Sequence, residues 1–346
     1  MPLADLYGQT LARERLLNMV LRDRVPQTLL FAGPEGVGKN LAARMFAQAL
    51  SCRQRVDDDA CGSCPACIQI ERKLYPDMLI VTAEKQQIKI GQVAEIREFI
   101  SFAPLVGERR IVIIEDAHKL NNVAANALLK TLEEPFPTVL FILLSHRHSL
   151  LLATILSRCL LLPFVSLHKA VVVEILEGLE LESEYGEITA AGIADAAAWS
   201  GGSMGRALFF LREENLLWFS DFIGKFSRLP QATLSQALDL AEMAAQFKER
   251  EVLFFIMRSF LHDTLLAARG LYGSMREDDM RIETPFWSEA VLAFAALPES
   301  LLMSIRHRLS AVEKAQGINV NLRLAFDAVF SSIVTGRDKI QLAGVL

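Results

Sequence analysis

The run GPEGVGKN at residues 33–40 matches a phosphate-binding loop at every position except the last. In the pattern G-x4-G-K-[S/T], backbone N–H groups hold phosphates, the lysine reaches the β and γ oxygens, and the hydroxyl binds Mg²⁺. Gly33, Gly36, Gly38 and Lys39 keep the phosphate-binding part, whereas Asn40 replaces the hydroxyl. The loop therefore predicts binding of ATP or ADP, with Mg²⁺ binding weak or absent.

Four of the five cysteines lie within sixteen residues, at Cys52, Cys61, Cys64 and Cys67. The spacing C-x8-C-x2-C-x2-C is typical of a tetrahedral zinc site with four thiolate ligands. Because sulfur takes all four positions, none is left for a catalytic water. We therefore predict a structural Zn²⁺ that holds residues 52–67 in shape, and Cys159 as a small buried side chain.

A second pair of candidate groups follows the apolar run Ile111–Ile114, which ends in the carboxylates of Glu115 and Asp116. In nucleotide hydrolases such a strand end supplies one acid near Mg²⁺ and one that orients the attacking water. Alone, the two acids are better explained as a solvated strand end. Together with the phosphate loop, they are predicted to face a bound nucleotide.

The elements that position these motifs alternate between strands and helices over residues 1–165, as in a wound α/β domain. Strands are predicted at Thr28–Ala32, Met78–Val81, Arg110–Ile114, Val139–Leu144 and Leu160–Phe164. Helices are predicted at Ala12–Arg22, Leu41–Leu50, Ile88–Phe102 and Ala124–Glu133, the last stopped by Pro135. The phosphate loop thus joins a buried strand to a helix, as its chemistry requires.

The rest of the chain is predicted to be helical, because apolar residues recur at 3.6-residue spacing. Clear examples are Ala232–Ala245, Arg250–Arg269 and Leu301–Lys314, with a helix boundary at Gly201-Gly202-Ser203 and a loop over 271–284. We divide the chain into an α/β domain at 1–165, a small helical domain at 166–212 and a larger helical domain at 213–340.

Length and charge restrict the class of protein. A chain of 346 residues is too long for one ordinary core. It has no run of 18 apolar residues and no signal-peptide pattern at its start, so we expect a cytoplasmic protein without a membrane span. A net charge of −5 argues against a protein that coats DNA by itself, so any DNA contact is expected to be shared with partners.

Two further segments, ANALLKTLEEP at 125–135 and TILSRC at 154–159, complete a family pattern. With the phosphate loop and the cysteine cluster, they make the first 165 residues resemble the AAA+ subunits of bacterial replication clamp loaders. The likeness continues more weakly through the helical part. It implies an α/β P-loop AAA+ domain with a parallel sheet, flanking helices and a zinc-binding insertion, followed by a helical lid and an all-α collar.

The resemblance also implies partners and further site residues. Clamp loaders are rings of five subunits that use ATP to place a sliding clamp on primed DNA. We therefore expect gamma/tau-type and delta-type subunits in a hetero-pentamer, the sliding clamp, and primer–template DNA as partners. The Ser-Arg-Cys segment assigns Arg158 as an arginine finger for the neighbouring subunit's ATP. Ser145 takes the place of the first sensor residue, although a hydroxyl after a strand is also a common cap.

Several positions depart from the pattern of the family's motor subunits. The acids occur as Glu115 then Asp116, instead of aspartate then glutamate, and Gly205 replaces the arginine of the lid motif Gly-Ser-x-Arg. Arg206 follows it, but one residue turns a helix by about 100°. With Asn40, these changes predict weak or absent hydrolysis at this chain's own site, in a subunit of a polymerase holoenzyme that is not itself the polymerase.

Two alternatives stay open: an active gamma/tau-type ATPase motor, or a zinc-stabilised nucleotide-dependent interaction module outside replication. Two further groups of residues, one rich in histidine and one basic, give weaker signals. His146-Arg147-His148 has the residue types that bind a metal or a phosphate, but alternating histidines after a strand are more typical of a solvated loop, which is our prediction. Lys85, Lys89 and Arg97 form either a basic face that follows DNA or a solvated helix face.

Overall fold

The structure, a computed structural model, describes residues 2–84, 86–134, 136–179, 181, 185, 188–272, 282, 284–315 and 321–336. It divides into two compact units, Met1–Val171 with Ser203–Gly205, and Val172–Gly202 with Arg206–Leu346. Our division into 166–212 and 213–340 stays a prediction. The predictions for Lys85, for Pro135, for most of 271–284 and for the end of the last domain at 340 fall outside the described residues.

A five-stranded parallel sheet in the order β2-β3-β4-β1-β5 forms the centre of the first unit. The strands are β1 Thr28–Ala32, β2 Met78–Val81, β3 Arg110–Ile114, β4 Val139–Ser145 and β5 Leu160–Pro163. Every residue of β1, β3 and β4 is buried, as continuous apolar runs require in a sheet that is covered on both faces. The predicted fold class is confirmed, with β4 one residue longer and β5 one shorter than expected.

Helices cover both faces of this sheet. They are α1 Thr10–Leu21, α2 Lys39–Ser51, α3 Pro65–Glu71, α4 Ile90–Ser101, α5 Asn122–Glu133 and α6 Ala153–Leu156. Successive strand residues point to opposite faces, so Leu29 and Phe31 belong to the core under α1 to α3, and Leu30 and Ala32 to the core under α4 to α6. The α/β layers thus fix both ends of the phosphate loop.

The predicted helix at Ile88–Phe102 begins two residues later than expected. Ile88 donates its N–H to the carbonyl of Lys119 at 2.9 Å, and its own carbonyl accepts the N–H of Asn121 at 3.2 Å. These bonds hold Ile88 in an extended bridge beside the sheet. The helix therefore starts only after Lys89, whose N–H bonds to the side-chain oxygen of Gln92.

The second unit is helical, as predicted. The described helices from residue 169 onward are Lys169–Glu177, Ala190–Ser200, Met204–Phe210, Glu213–Ser227, Leu234–Gln246, Arg250–Ala268, Pro285–Phe294, Glu299–Ala315 and Leu322–Thr335. The break between Ser200 and Met204 confirms the predicted boundary at the two glycines. The core of this unit is aromatic, with Trp287 at its centre among phenylalanines such as Phe260 and Phe294.

Among the described residues, no single helix has both the length and the apolar composition to cross a membrane; Pro285–Phe294 and Glu299–Ala315 reach them only as a pair bent by 114°.

Candidate functional site

The phosphate loop follows β1 and leads into α2, which begins at Lys39. Two of its positions admit only glycine. A Cβ on Gly33 would lie 2.1 Å from the carbonyl oxygen of Phe164, and one on Gly36 would lie 2.1 Å from Ser203 Oγ. Gly36 also has φ +72°, a conformation that other residues rarely adopt. The loop therefore keeps the open backbone and the adjoining helix N-terminus that suit a phosphate group.

Lys39 is folded into this loop. Its Nζ donates a 2.8 Å hydrogen bond to the carbonyl of Gly33 and a second bond to the carbonyl of Pro34. Burial lowers the pKa of Lys39 to about 8, although the carboxylates of Glu35 and Asp116 oppose this shift. A cation held here at neutral pH, beside glycines that leave room for an anion, fits the phosphates of a nucleotide.

Asn40 contacts the first of the two predicted acids. Its Nδ2 donates a hydrogen bond to Glu115 Oε1, across 75 residues of sequence. Glu115 is itself fixed by its N–H, which bonds to the carbonyl of Val81 at 2.9 Å. Mg²⁺ prefers oxygen ligands in octahedral geometry. Here the amide nitrogen faces the carboxylate, so the groups at the two expected metal-ligand positions bond to each other.

Asp116, the second predicted acid, is also paired. Its backbone adopts a left-handed conformation with φ +49°, and its Oδ2 lies 2.9 Å from Lys119 Nζ. Its Oδ1 lies 3.4 Å from His146 Nδ1. The contact with His146, together with Lys119, holds the pKa of Asp116 well below its usual range. Such a carboxylate is a poor base for an attacking water.

Two histidines, His118 and His146, lie beside Asp116. The sequence analysis did not assign His118 to the site and placed His146 on a solvated loop. The two rings meet edge to face with centroids 4.2 Å apart, and Ser145 Oγ lies 3.3 Å from His118 Nδ1. Burial, followed by the nearby charge of His146, lowers the pKa of His118 to about 4. The prediction of a solvated loop is wrong for His146, which is mostly buried, and correct for His148, which is exposed.

The glycine that replaces the lid arginine lies next to the phosphate loop. The N–H of Met204 donates to the carbonyl of Gly36 at 2.8 Å, and a Cβ on Gly205 would lie 3.8 Å from the Cα of Gly36. Arg206 has other partners, because its Nε donates to the carbonyl of Ser200 and its guanidinium stacks 3.6 Å from the ring of Phe255.

Arg158 lies on the surface, just after α6. Its Nη2 donates to Glu133 Oε1 at 2.7 Å, and its Nη1 donates to the carbonyl of Thr154 at 2.8 Å. Both members of the ion pair are open to solvent, with side-chain exposures of 34% and 48%. Lys89 and Arg97, which we considered for DNA contact, are exposed as well.

The four cysteines of the predicted zinc site come together. Their sulfur atoms all lie within 4.8 Å of one another, and those of Cys52 and Cys64 are 3.9 Å apart. Four sulfurs at about 2.3 Å from one tetrahedral zinc lie about 3.8 Å from each other. Hydrogen bonds from the N–H groups of Ser63 and Cys64 lower the pKa of Cys61 to about 6, whereas burial raises the pKa of Cys52 and Cys67. The cluster can therefore bind Zn²⁺.

The fifth cysteine, Cys159, lies apart from this cluster. It is partly buried, and its Sγ donates to the carbonyl of Ile155 at 3.2 Å. Burial raises the pKa of its thiol to about 11, so it is an unreactive packing residue, as expected.

Sequence comparison relates the chain to subunits of a replicative polymerase. The family model described as "DNA polymerase III, delta subunit" matches residues 8–168. The tau subunit of DNA polymerase III from Bacillus subtilis is 31% identical over 79% of this chain and 52% of its own length. Subunit delta' from Pseudomonas aeruginosa is 39% identical over 38% of this chain and 40% of its own. The chain thus spans about half of these relatives, or less.

Among solved structures, a gamma subunit-related protein of DNA polymerase III from Thermotoga maritima aligns over 94% of this chain and 99% of its own, at 16% identity and a TM-score of 0.41. The RuvB Holliday junction branch migration motor of Thermotoga maritima aligns over 97% of this chain and 87% of its own, at 16% identity and a TM-score of 0.41. The sequence matches, which centre on the unit that carries the phosphate loop, show that the chain belongs to the family of DNA polymerase III clamp-loader subunits.

Proposed function

We propose that this chain is the delta-prime subunit of the DNA polymerase III clamp loader. In this role it binds nucleotide with little or no hydrolysis, supplies Arg158 to the ATP of a neighbouring subunit, and helps to load the sliding clamp onto primer–template DNA. The hydrogen bond between Asn40 and Glu115 carries the proposal, because it joins the two positions that a hydrolysing site would use for Mg²⁺.

The energetics favour binding over catalysis at the phosphate loop. A hydrogen bond to a charged group contributes about 1.5–3 kcal/mol to stability. A metal ion that bound between Asn40 and Glu115 would break this bond, and its binding free energy would be reduced by that amount. Asp116 also has its own partners, Lys119 and His146. Phosphate binding needs none of these groups to move, since it uses the loop backbone and Lys39.

Arg158 is suited to act on a neighbouring subunit. A solvent-exposed ion pair such as the one with Glu133 stabilises a protein by about 0–1 kcal/mol. An arginine finger in phosphoryl transfer can accelerate the reaction by about 10³–10⁵. The guanidinium can therefore leave Glu133 for a phosphate at small cost. The proposed collar at 213–340, which follows the proposed lid at 166–212, would provide the contacts that hold the pentamer.

The first test is nucleotide binding and turnover by the isolated chain. We expect ATP and ADP to bind in calorimetry with an affinity that Mg²⁺ changes by less than about threefold, and no turnover above background. Asn40→Thr restores a hydroxyl and removes the bond to Glu115. In this variant Mg²⁺ should strengthen ATP binding by about tenfold, which corresponds to about 1.4 kcal/mol.

Asn18→Thr is the matched control, because Asn18 is an exposed helical asparagine outside the site. It should behave as the unsubstituted chain does. Substantial ATP turnover by the isolated chain would contradict the proposal. So would binding by the unsubstituted chain that depends on Mg²⁺ as strongly as binding by Asn40→Thr.

One observation favours a second candidate, a gamma/tau-type motor, because the Bacillus subtilis tau subunit matches 79% of this chain. A complex in which every other ATPase subunit carries a disabled phosphate loop separates the two. Turnover at this chain's own site would persist there if it is a motor. An interaction module outside replication would instead fail to co-purify with motor subunits and a sliding clamp.

A further inference from the structure

Asp116, His118 and His146 form a second group of potential metal ligands, separate from the four cysteines. One carboxylate oxygen and one nitrogen of each ring lie within 4.8 Å of one another. We propose that these three residues bind a transition-metal ion of the Zn²⁺ class. The inference does not depend on the clamp-loader function, because it concerns this chain alone.

The topology of the sheet brings the three residues together. β3 and β4 are adjacent and parallel, with Ile114 paired to Leu143. Asp116 and His118 follow the end of β3, and His146 directly follows the end of β4. Carboxyl ends of neighbouring parallel strands meet at one edge of a sheet, so the ligands lie in the short connections that directly follow two strands.

The distances are close to those that a metal requires. Zinc bonds to nitrogen and oxygen are about 2.0–2.2 Å, so donor atoms around a tetrahedral ion lie about 3.4 Å apart. Asp116 Oδ1 and His146 Nδ1 are 3.4 Å apart. The ring of His118 stands nearly perpendicular to that of His146, with 72° between their planes. One nitrogen of each ring nevertheless lies within 4.8 Å of the other and of an Asp116 oxygen.

Neighbouring groups orient the ligands in the way that metal sites commonly show. A histidine that binds a metal usually gives its other ring N–H to a second partner, and ligating carboxylates are themselves hydrogen-bonded. Ser145 Oγ, which is fully buried, lies 3.3 Å from His118 Nδ1 and can hold the orientation of this ring. Lys119 Nζ holds Asp116 Oδ2 at 2.9 Å and leaves Oδ1 for the ion.

The ligand types select the metal. Imidazole suits zinc, copper, iron and nickel, whereas magnesium and calcium prefer sites made of oxygen. Two histidines and one carboxylate leave a fourth tetrahedral position for a water or another ligand.

The test counts Zn²⁺ ions on the purified full-length chain after loading and desalting, by elemental analysis. We expect two ions per chain, one at the cysteines and one at this cluster. His118→Ala and His146→Ala should each retain one ion, and His148→Ala, the exposed neighbouring histidine, should retain two. A single ion in the unsubstituted chain, with all four thiols of the cysteine cluster protected by bound Zn²⁺, would overturn the proposal. Two ions in both His118→Ala and His146→Ala would also overturn it.

A second measurement separates ligation from folding. Co²⁺ bound to thiolates gives intense charge-transfer absorption, whereas Co²⁺ bound to nitrogen and oxygen gives weak bands. Chain loaded with Co²⁺ should show both, and His146→Gln, which keeps most of the side-chain size, should lose the weak bands while retaining the thiolate absorption. Ser145→Ala should lower the affinity of the chain for the second ion by about 10- to 100-fold. An unchanged second affinity in both variants would contradict the assignment.

Discussion

The phosphate-loop site and the surface around Arg158 belong to the same folded unit but differ in how their polar and charged groups are paired and exposed. In the loop site, Lys39, Asn40 and Asp116 bond to neighbours within the chain. Arg158 is open to solvent and contacts Glu133, which is open as well. Groups that bond to each other within the chain are less available for catalysis, whereas an exposed arginine is available to a second molecule. The predictions below test this difference.

The largest effect is expected from Arg158→Ala in the assembled clamp loader. The complex should form normally, while DNA-stimulated ATP turnover at the neighbouring site falls by about 10³-fold, because the proposed finger would stabilise the transition state at that site. An ATPase assay of the purified complex measures turnover, and size-exclusion chromatography measures its assembly. Unchanged turnover would remove the assignment of Arg158.

The converse effect is expected from Lys39→Ala. The isolated chain should bind ATP about 10- to 100-fold more weakly, since hydrogen bonds to a charged group contribute about 1.5–3 kcal/mol. Turnover of the assembled ring should change by less than about twofold, because hydrolysis is proposed to take place in the neighbouring subunits. Lys169→Ala, an exposed lysine, is the control for both assays. A collapse of ring turnover in Lys39→Ala would show that the two regions are not separate in function.

The same lysine predicts a dependence on pH. With its pKa near 8, Lys39 loses its charge as the pH rises, so ATP affinity should fall by up to about fivefold between pH 8 and 9. Lys39→Arg stays charged and should flatten the profile. The unfolded chain keeps this proton up to about pH 10.5, so the free energy of unfolding without nucleotide should rise from pH 8 to 10.5. Affinity that rises with pH would contradict this account of the loop.

The smallest effect is expected from Glu133→Gln. Loss of an exposed ion pair should lower the free energy of unfolding by less than about 1 kcal/mol and change ring turnover by less than about fivefold. Glu134→Gln, the next residue and also exposed, is the matched control. A fall in turnover as large as that of Arg158→Ala would mean that Glu133 positions the arginine.

The strands were predictable because each is a short apolar run with a clear end. Arg110–Ile114 stops at Glu115, and the phosphate loop begins directly after Ala32. The cysteine cluster was predictable for a similar reason, since its ligands lie close together in sequence and their spacing is specific to metal. In each case the signal is local, so the order of the strands does not matter.

The contacts within the candidate site were not predictable from such signals. Asn40 meets Glu115, and His118 meets His146, only because β3 lies beside β4 and β4 beside β1. Alternation of strands and helices predicts a parallel sheet, but it does not specify which strands are neighbours. The sequence around His146 therefore has the pattern of a loop, and only the order of the strands shows that His146 lies next to Asp116.

Strand β5 has a consequence for the behaviour of the chain before it meets any partner. It lies at one edge of the sheet and carries the exposed side chains Leu160 and Leu161. An open edge with apolar side chains invites strands of other copies to add to it and to aggregate. β5 spans four residues, and Pro163 offers no N–H to an incoming strand. These two features disfavour the addition of strands from other copies at this edge.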